Sequence, residues 1–334
     1  MFRHGDSPRF SFLKHRSQLS IAVSAWFAIA IGASPATAAV IVNDTWQDGT
    51  DTDPAAPVFS ENGVNLDPLD DTDLESAWFQ GGGGTLDPAG PGGPLEMIMA
   101  DGPTGTSSSS WTTYFTPEGA EVTLNSPGDK LRVTWIFTTN EVNESNSSQN
   151  FRLALVDSPD GSRISDNGTP GSAAYTGYGI FGNMGETFGH SNPFELVERA
   201  DASGALLSSS GEWEDDFLAS SGGTNGNAGY SDNTQYTFIM ELMRNATNQI
   251  DILASMTGGN LDGVGSVSAS ATDMDPTSFK FDTFALRPSG ASTTTDQFDT
   301  SLFRVEYIPI PEPASLLLLC LGGMAVFAIR RPDR

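Results

Sequence analysis

Apolar and polar positions alternate with a period of two in several stretches between residues 39 and 308, and none keeps a helical period. Lys130–Phe137 is the clearest stretch: Leu131, Val133, Trp135 and Phe137 fall on one face and predict a core-facing strand. Phe151–Val156 follows after a polar loop, and Phe194–Arg199 is a weaker strand. Tyr236–Arg244 and Gln249–Met256 pattern as a hairpin joined by Asn245–Asn248. In its second arm Ile250, Ile252, Ala254 and Met256 share one face, against Gln249, Asp251 and Ser255. Phe279–Leu286 predicts another strand, and Phe298–Ile308 closes the body with Phe303, Val305 and Tyr307 alternating against Arg304 and Glu306. A slip of one residue would expose each such set, so Leu131, Val133, Trp135, Phe137, Ile250, Ile252, Phe281 and Phe303 are expected to be buried. Turn signals separate the strands: Asn62-Gly63, Gly81–Gly84, Gly90–Pro94, Asn167-Gly168 and Gly222–Gly229. The pattern predicts one all-β domain over residues 39–308, a single large two-sheet sandwich without an internal repeat.

The two ends follow other rules. Arg9, Lys14 and Arg16 precede an apolar run from Leu19 to Ala33, and Ala36-Thr37-Ala38 then places small residues where a signal peptidase cuts. Residues 1–38 read as a secretory signal, with Ala39 as the first mature residue. At the other end Pro311-Glu312-Pro313 precedes an apolar run, Ala314–Ile329, and then Arg330-Arg331. As a helix those 16 residues span about 24 Å, slightly short of a hydrocarbon core of about 30 Å, and flanking arginines can make up the difference. The arginines after residue 329 place that end in the cytoplasm and the body outside.

Charge and rare residues narrow the function. The chain carries a net charge of −26, and residues 39–310 alone, with nine basic and 39 acidic residues, carry −30. Such a body repels phosphates and anionic lipid, which excludes nucleic acid as a partner. The sole cysteine, Cys320, lies in the apolar tail, so no internal disulfide and no thiolate cluster can form. His190 is the one histidine of the body, which excludes multi-histidine metal sites.

With Pro311, Glu312, Pro313, the apolar run and the arginine pair in this order, the tail, residues 309–334, resembles the PEP-CTERM sorting tail. The resemblance implies that an exosortase of the inner membrane recognises Pro311-Glu312-Pro313. The helix 314–329 would then be a transient anchor, and the product would go to the cell surface or extracellular matrix of a Gram-negative bacterium. The strand order resembles the concanavalin A-like jelly roll, in which a late hairpin, here 236–256, is followed by a strand such as 279–286 and a final strand beside the first.

Candidate chemistry in the body is sparse. Asp44, Asp48, Asp51 and Asp53, then Asp67, Asp70, Asp71 and Asp73, are hard oxygen donors of the kind Ca²⁺ prefers, although no EF-hand loop occurs. The first four are the expected metal ligands, the alternative being a solvated acidic surface. Paired carboxylates for a glycosidase are offered by Glu195 with Glu198 and by Glu212-Trp213-Glu214-Asp215-Asp216. Alternation sets Glu195 and Glu198 on opposite faces, and the Glu-x-Asp-x-x-Glu strand of related glucanases is missing. Trp213, flanked by acids, is the ring expected to be exposed for stacking on a sugar. The sequence therefore predicts a non-catalytic exported protein that binds polysaccharide or serves adhesion. The alternative is a secreted polysaccharide-degrading enzyme, a hydrolase or lyase, of the same fold.

Overall fold

The computed structural model describes residues 37–100, 108–144, 146–171, 174–199, 206–207, 213–214, 221–288 and 294–310. The apolar run 19–33, the residues Pro311, Glu312, Pro313, Arg330 and Arg331, and the helix expected at 314–329 lie outside them. Among the described residues no helix is long and apolar enough to cross a membrane.

Two antiparallel sheets make the body. The first runs Ser266–Asp273, Ile250–Thr257, Gln235–Arg244, Lys130–Asn140, Gln297–Ile308, Leu95–Ile98, Thr85–Pro88. Ala39–Asp44 joins it on the far end of Gln297–Ile308, so the first and last strands pair as the jelly-roll resemblance implies. The second sheet runs Trp213–Glu214, Phe194–Arg199, Thr176–Gly182, Phe151–Asp157, Thr283–Pro288, Ser109–Tyr114, Trp78–Gly82. Ser221–Gly222 also pairs with Phe194–Arg199. The helical turn Leu261–Gly263 is the sole helical element described.

The core lies between the sheets. Lys130–Asn140 alternates strictly between buried and half-buried positions, as period-two patterning requires. Leu131, Val133, Trp135, Phe137, Ile250, Ile252, Phe281 and Phe303 are all buried. Trp135 stacks on Phe137 at 4.0 Å and donates its Nε1–H to Thr300 Oγ1 at 3.1 Å, so its one polar atom is satisfied inside the core. Each fully buried side chain of this kind contributes roughly 1.5–3 kcal/mol through removal of apolar surface from water.

The second sheet is covered on its outer face as well. One group of buried residues there, Phe59, Ala77, Phe79 and Tyr114, involves the loop after the first strand. The other includes Phe181, Val197, Leu206, Leu207 and Trp213.

One predicted strand divides. Residues 279–286 form two pieces, Lys280–Phe281 and Thr283–Pro288, separated by Asp282. The first pairs with Val122–Thr123 in a separate ribbon, while the second enters the second sheet. The break occurs because the Asp282 side chain is fully buried and bonded to Ser158 and Arg163, which turns the chain between the two pieces.

Candidate functional site

The loop from Thr45 to Ala77 connects Ala39–Asp44 to Trp78–Gly82, and it holds nine acidic residues and no Lys or Arg. Backbone bonds stitch it together. Asn43 and Leu74 exchange N–H···O bonds, Glu61 N–H donates to the Glu75 carbonyl at 3.1 Å, and Trp78 N–H donates to the Asp51 carbonyl at 2.7 Å. The loop is thus fixed against the sandwich rather than free in solvent.

Its carboxylates divide into two kinds. Some brace the loop by accepting from nearby donors. Asp73 accepts from Thr45 N–H at 2.6 Å, Thr45 Oγ1–H at 2.7 Å and Gln47 Nε2–H at 2.6 Å. Asp44 accepts from Trp46 N–H at 2.9 Å. Glu61 accepts from Glu75 N–H at 3.0 Å and from Leu66 N–H. The others converge and are only partly supplied: Thr50 donates to both Asp48 oxygens, at 2.8 Å from its N–H and 2.5 Å from its hydroxyl, and Asp73 N–H donates to Asp71 Oδ1 at 2.9 Å. Asp48, Asp71 and Glu75 bring one oxygen each within 4.8 Å of one another, and so do Asp53, Asp67 and Glu75. Asp67 Oδ1, Asp71 Oδ2, Glu75 Oε2 and the Asn65 carbonyl oxygen are buried and have no hydrogen-bond partner.

The electrostatics follow from this crowding. Two unit charges 4.8 Å apart repel by about 3.5 kcal/mol at an effective dielectric of about 20. Burial, followed by the charges of Asp44, Asp48, Asp71 and Asp53, pushes the Glu75 carboxyl up to about 10. Burial likewise raises Asp53, with Asp67 and Asp48 adding to the effect. Asp71 is raised first by burial and further by Asp73, Asp67 and Asp48, against the bond from Asp73 N–H.

Of the four aspartates expected as metal ligands, the structure brings Asp48 and Asp53 into the convergent group. Asp44 and Asp51 fall outside both triads. Asp44 is buried and turned to the Trp46 amide, and its carboxyl is raised by that burial. From the second aspartate run Asp67 and Asp71 enter the group, while Asp73 serves as a brace. Glu75, common to both triads, is the residue the sequence reading missed. No pattern in the sequence marks it, because residues 75–79 are buried at every position and no polar face alternates there.

Trp213 corrects another expectation. It is 4% exposed, packs 5.6 Å from Phe181 with the Arg199 guanidinium 5.4 Å over its ring, and covers Gly179, where a Cβ would lie 2.8 Å from Cζ3. It is a core residue of the second sheet's outer cluster and presents no ring for stacking. Trp46, Trp78, Trp111 and Trp135 are buried too. Glu195 accepts from Gln149 Nε2–H at 2.6 Å and Asn192 Nδ2–H at 3.0 Å, whereas Glu198 is buried. The segment's other acids, Glu212, Asp215 and Asp216, lie outside the described residues. His190 Nδ1 accepts from Asn192 N–H at 3.1 Å within its own turn.

Comparison with known proteins adds the following. In fold the chain is similar to arcelin-5, a lectin-like defence protein from Phaseolus vulgaris, at 12% identity and a TM-score of 0.37 over 70% of this chain and 93% of that one. It is similar to the exoplasmic/lumenal domain of VIP36 in a form bound to Ca²⁺ and Man3GlcNAc, at 10% identity and a TM-score of 0.36 over 77% and 90%. Winged bean acidic lectin in complex with methyl-α-D-galactose gives 9% identity and a TM-score of 0.37 over 70% and 93%. None of the curated proteins matches the chain in sequence. Residues 309–331 match the PEP-CTERM protein-sorting motif, so the chain is an all-β sandwich carrying that sorting motif directly after its last strand, which ends at Ile308.

Proposed function

We propose that the protein is a non-catalytic component of the cell surface or extracellular matrix of a Gram-negative bacterium, delivered by an exosortase, with the sandwich as a structural or adhesion module. The sorting motif at 309–331 carries this reading. A net charge of −30 over residues 39–310 suits a protein that stays dispersed outside the cell and away from phosphate polymers. Contact with matrix polysaccharide in this reading is polar, because the described tryptophan rings are buried.

The absence of turnover is part of the proposal. A glycosidase needs one carboxyl held protonated beside a second that is ionised, both open to a sugar chain, and Glu75, raised among its aspartate neighbours, is only 2% exposed. The groove of about 200 Å³ on the first sheet contains Glu241 and Asp251. Lys130 and Arg132 bond to Glu241 there, at 2.8 Å and 2.6 Å, and hold it ionised. Asp251 accepts from Thr272 Oγ1–H at 2.8 Å.

The test follows a tagged chain in cells with and without their exosortase. Surface or matrix material with a mass lacking residues 314–334 is expected only where the exosortase is present. A product that keeps Leu316–Arg334 in the inner membrane of exosortase-containing cells overturns the sorting part. Reproducible reducing-end or unsaturated-product release from a polysaccharide panel, abolished by replacing one Glu, overturns the non-catalytic part.

A further inference from the structure

We propose that Asp48, Asp53, Asp67, Asp71 and Glu75 form a calcium site in the loop between the first two strands, with Glu75 as the ligand common to two carboxylate triads. Each triad has its three oxygens within 4.8 Å, a spacing that a single bound cation can span. An acidic cluster alone would not suffice, since exposed carboxylates often gather without an ion. The decisive observation is Glu75. Its residue is 2% exposed, it belongs to both triads, and its Oε2 has no donor. Buried acceptors in folded proteins are nearly always satisfied. Here Glu75 Oε2, Asp67 Oδ1, Asp71 Oδ2 and Asn65 Oδ1 are left over in one loop that contains no Lys or Arg.

The division between braces and free acids points the same way. Asp73, Asp44 and Glu61 have donors placed against them by the fold. Among the convergent acids Thr50 donates to both Asp48 oxygens and Asp73 N–H to Asp71 Oδ1, but Asp67 Oδ1, Asp71 Oδ2 and Glu75 Oε2 have no donor, although Thr and Asn are plentiful in the same loop. A cation supplies what those donors would have supplied, and it removes the mutual repulsion as well.

The donor chemistry selects the ion. All candidate ligands are oxygens, and the loop has neither His nor Cys, which disfavours zinc and copper. Five carboxylates and an amide carbonyl in an irregular loop suit the six to eight flexible oxygen ligands of Ca²⁺ better than the strict octahedron of Mg²⁺. One ion on each triad, bridged by Glu75, would bring five negative charges down to one. The site stands whether or not the chain is sorted by an exosortase.

The experiment uses the full chain in detergent micelles, stripped with chelator and then titrated with CaCl₂ by calorimetry. One or two ions per chain are expected, with a Kd of about 10⁻⁴–10⁻³ M, the range of extracellular calcium modules. At Ca²⁺ a hundredfold above Kd, the melting temperature should rise by about 5 °C over the chelated protein. Glu75→Gln should bind at least 10-fold more weakly, while Asp160→Asn, an equal charge loss on an exposed turn, should bind like the wild type. A calcium-dependent difference separates ligation from a structural role. In chelator Glu75→Gln, nearly the same shape as the side chain it replaces, should melt within about 2 °C of wild type, whereas in Ca²⁺ it should melt clearly below, so that the two melting curves separate only when the ion is present. Should that variant not fold, Asp67→Asn with Asp71→Asn tests the same prediction from the more exposed ligands. No heat of binding, equal melting in Ca²⁺ and chelator, or an unchanged Kd in both variants overturns the site.

Discussion

Replacing Arg163 by alanine should be among the most damaging single changes in the body. Its guanidinium donates to Asp282 Oδ2 at 2.7 Å and to the Thr116 carbonyl at 2.5 Å, and it lies 4.9 Å from the Tyr114 ring centroid and 5.4 Å from that of Phe59. The side chains of Arg163 and Asp282 are 2% and 0% exposed. Breaking a buried pair by removing one partner costs about 3–5 kcal/mol, because the remaining charge stays buried. Asp282 keeps the Ser158 N–H at 2.8 Å, the Ser158 hydroxyl at 2.5 Å and the Thr283 hydroxyl at 2.6 Å, which favours the lower end. The lost ring contacts add about 1 kcal/mol, for a total of about 4 kcal/mol. For a body of this size that lowers the melting temperature by about 8 °C. The assay is urea unfolding of Arg163→Ala, Asp282→Asn and the double variant. The double variant should cost less than the sum of the singles by about 2 kcal/mol, a coupling expected of residues in contact. The loss should hardly change between low and high salt, since the pair is shielded from solvent. A cost under about 1 kcal/mol for Arg163→Ala, or singles that simply add, would refute the idea that this pair fixes the break between Phe281 and Thr283.

Three further outcomes are expected. Trp213→Ala should cost about 3–5 kcal/mol by urea unfolding, as for a large buried ring, and should leave retention on polysaccharide columns unchanged; selective loss of retention without loss of stability would restore the ring as a ligand platform. At Glu241, burial raises the carboxyl, but the bonds from Lys130 and Arg132 outweigh it and leave it lowered. A depressed folded value gives stability that is present above the ordinary value of 4.5 and lost as pH falls through the folded one, so the melting gap between wild type and Glu241→Gln should close in acid and persist at pH 7. Asp129 accepts from Tyr307 Oη–H at 2.9 Å and Ile310 N–H at 3.1 Å, and burial followed by this carboxylate pushes the Tyr307 phenol up to about 12. Asp129→Ala should therefore return the phenol toward 10 in an ultraviolet titration and speed amide exchange at Ile310; a phenol unmoved by the change would refute the contact.

The sequence reveals the first sheet far better than the second, for a physical reason. Lys130–Asn140, Gln235–Arg244 and Ile250–Thr257 bury one face and keep the other near solvent, so their composition alternates. Ser109–Tyr114 is buried at every position, and Thr176–Gly182 at all but the first. Covered on both sides, these strands have no polar face to mark the period, and their Ser, Thr and Gly read as loop. The division at Asp282 was hidden because its partners, Ser158 and Arg163, lie far off in sequence. The acidic loop was legible as a class of chemistry but not as a ligand set. Whether an aspartate is a brace or is left over depends on donors such as the Trp46 and Thr45 amides, and no spacing rule reports where those point.

The topology also bears on maturation. Gln297–Ile308 is an interior strand, with Lys130–Asn140 on one side and Ala39–Asp44 and Leu95–Ile98 on the other. Without it three strands would present open edges, so the first sheet cannot close before residue 308 is in place. Pairings across such a sequence distance form late, because loop closure must precede the contacts that reward it. The sorting motif begins at residue 309, immediately after the last piece the sheet requires. At the other end Ala39, the residue after the expected signal cut, is the first to pair, opposite Tyr307. Ile310, bonded to Asp129, is the last described residue tied to the body, next to Pro311. Cuts after Ala38 and near Pro311 therefore spare every strand pairing described for the sandwich. A chain trimmed at both points should keep the full set of sheet pairings and melt within about 1 °C of the uncut chain in the same buffer. A larger fall would mean that segments beyond residues 39–310 contribute to the fold.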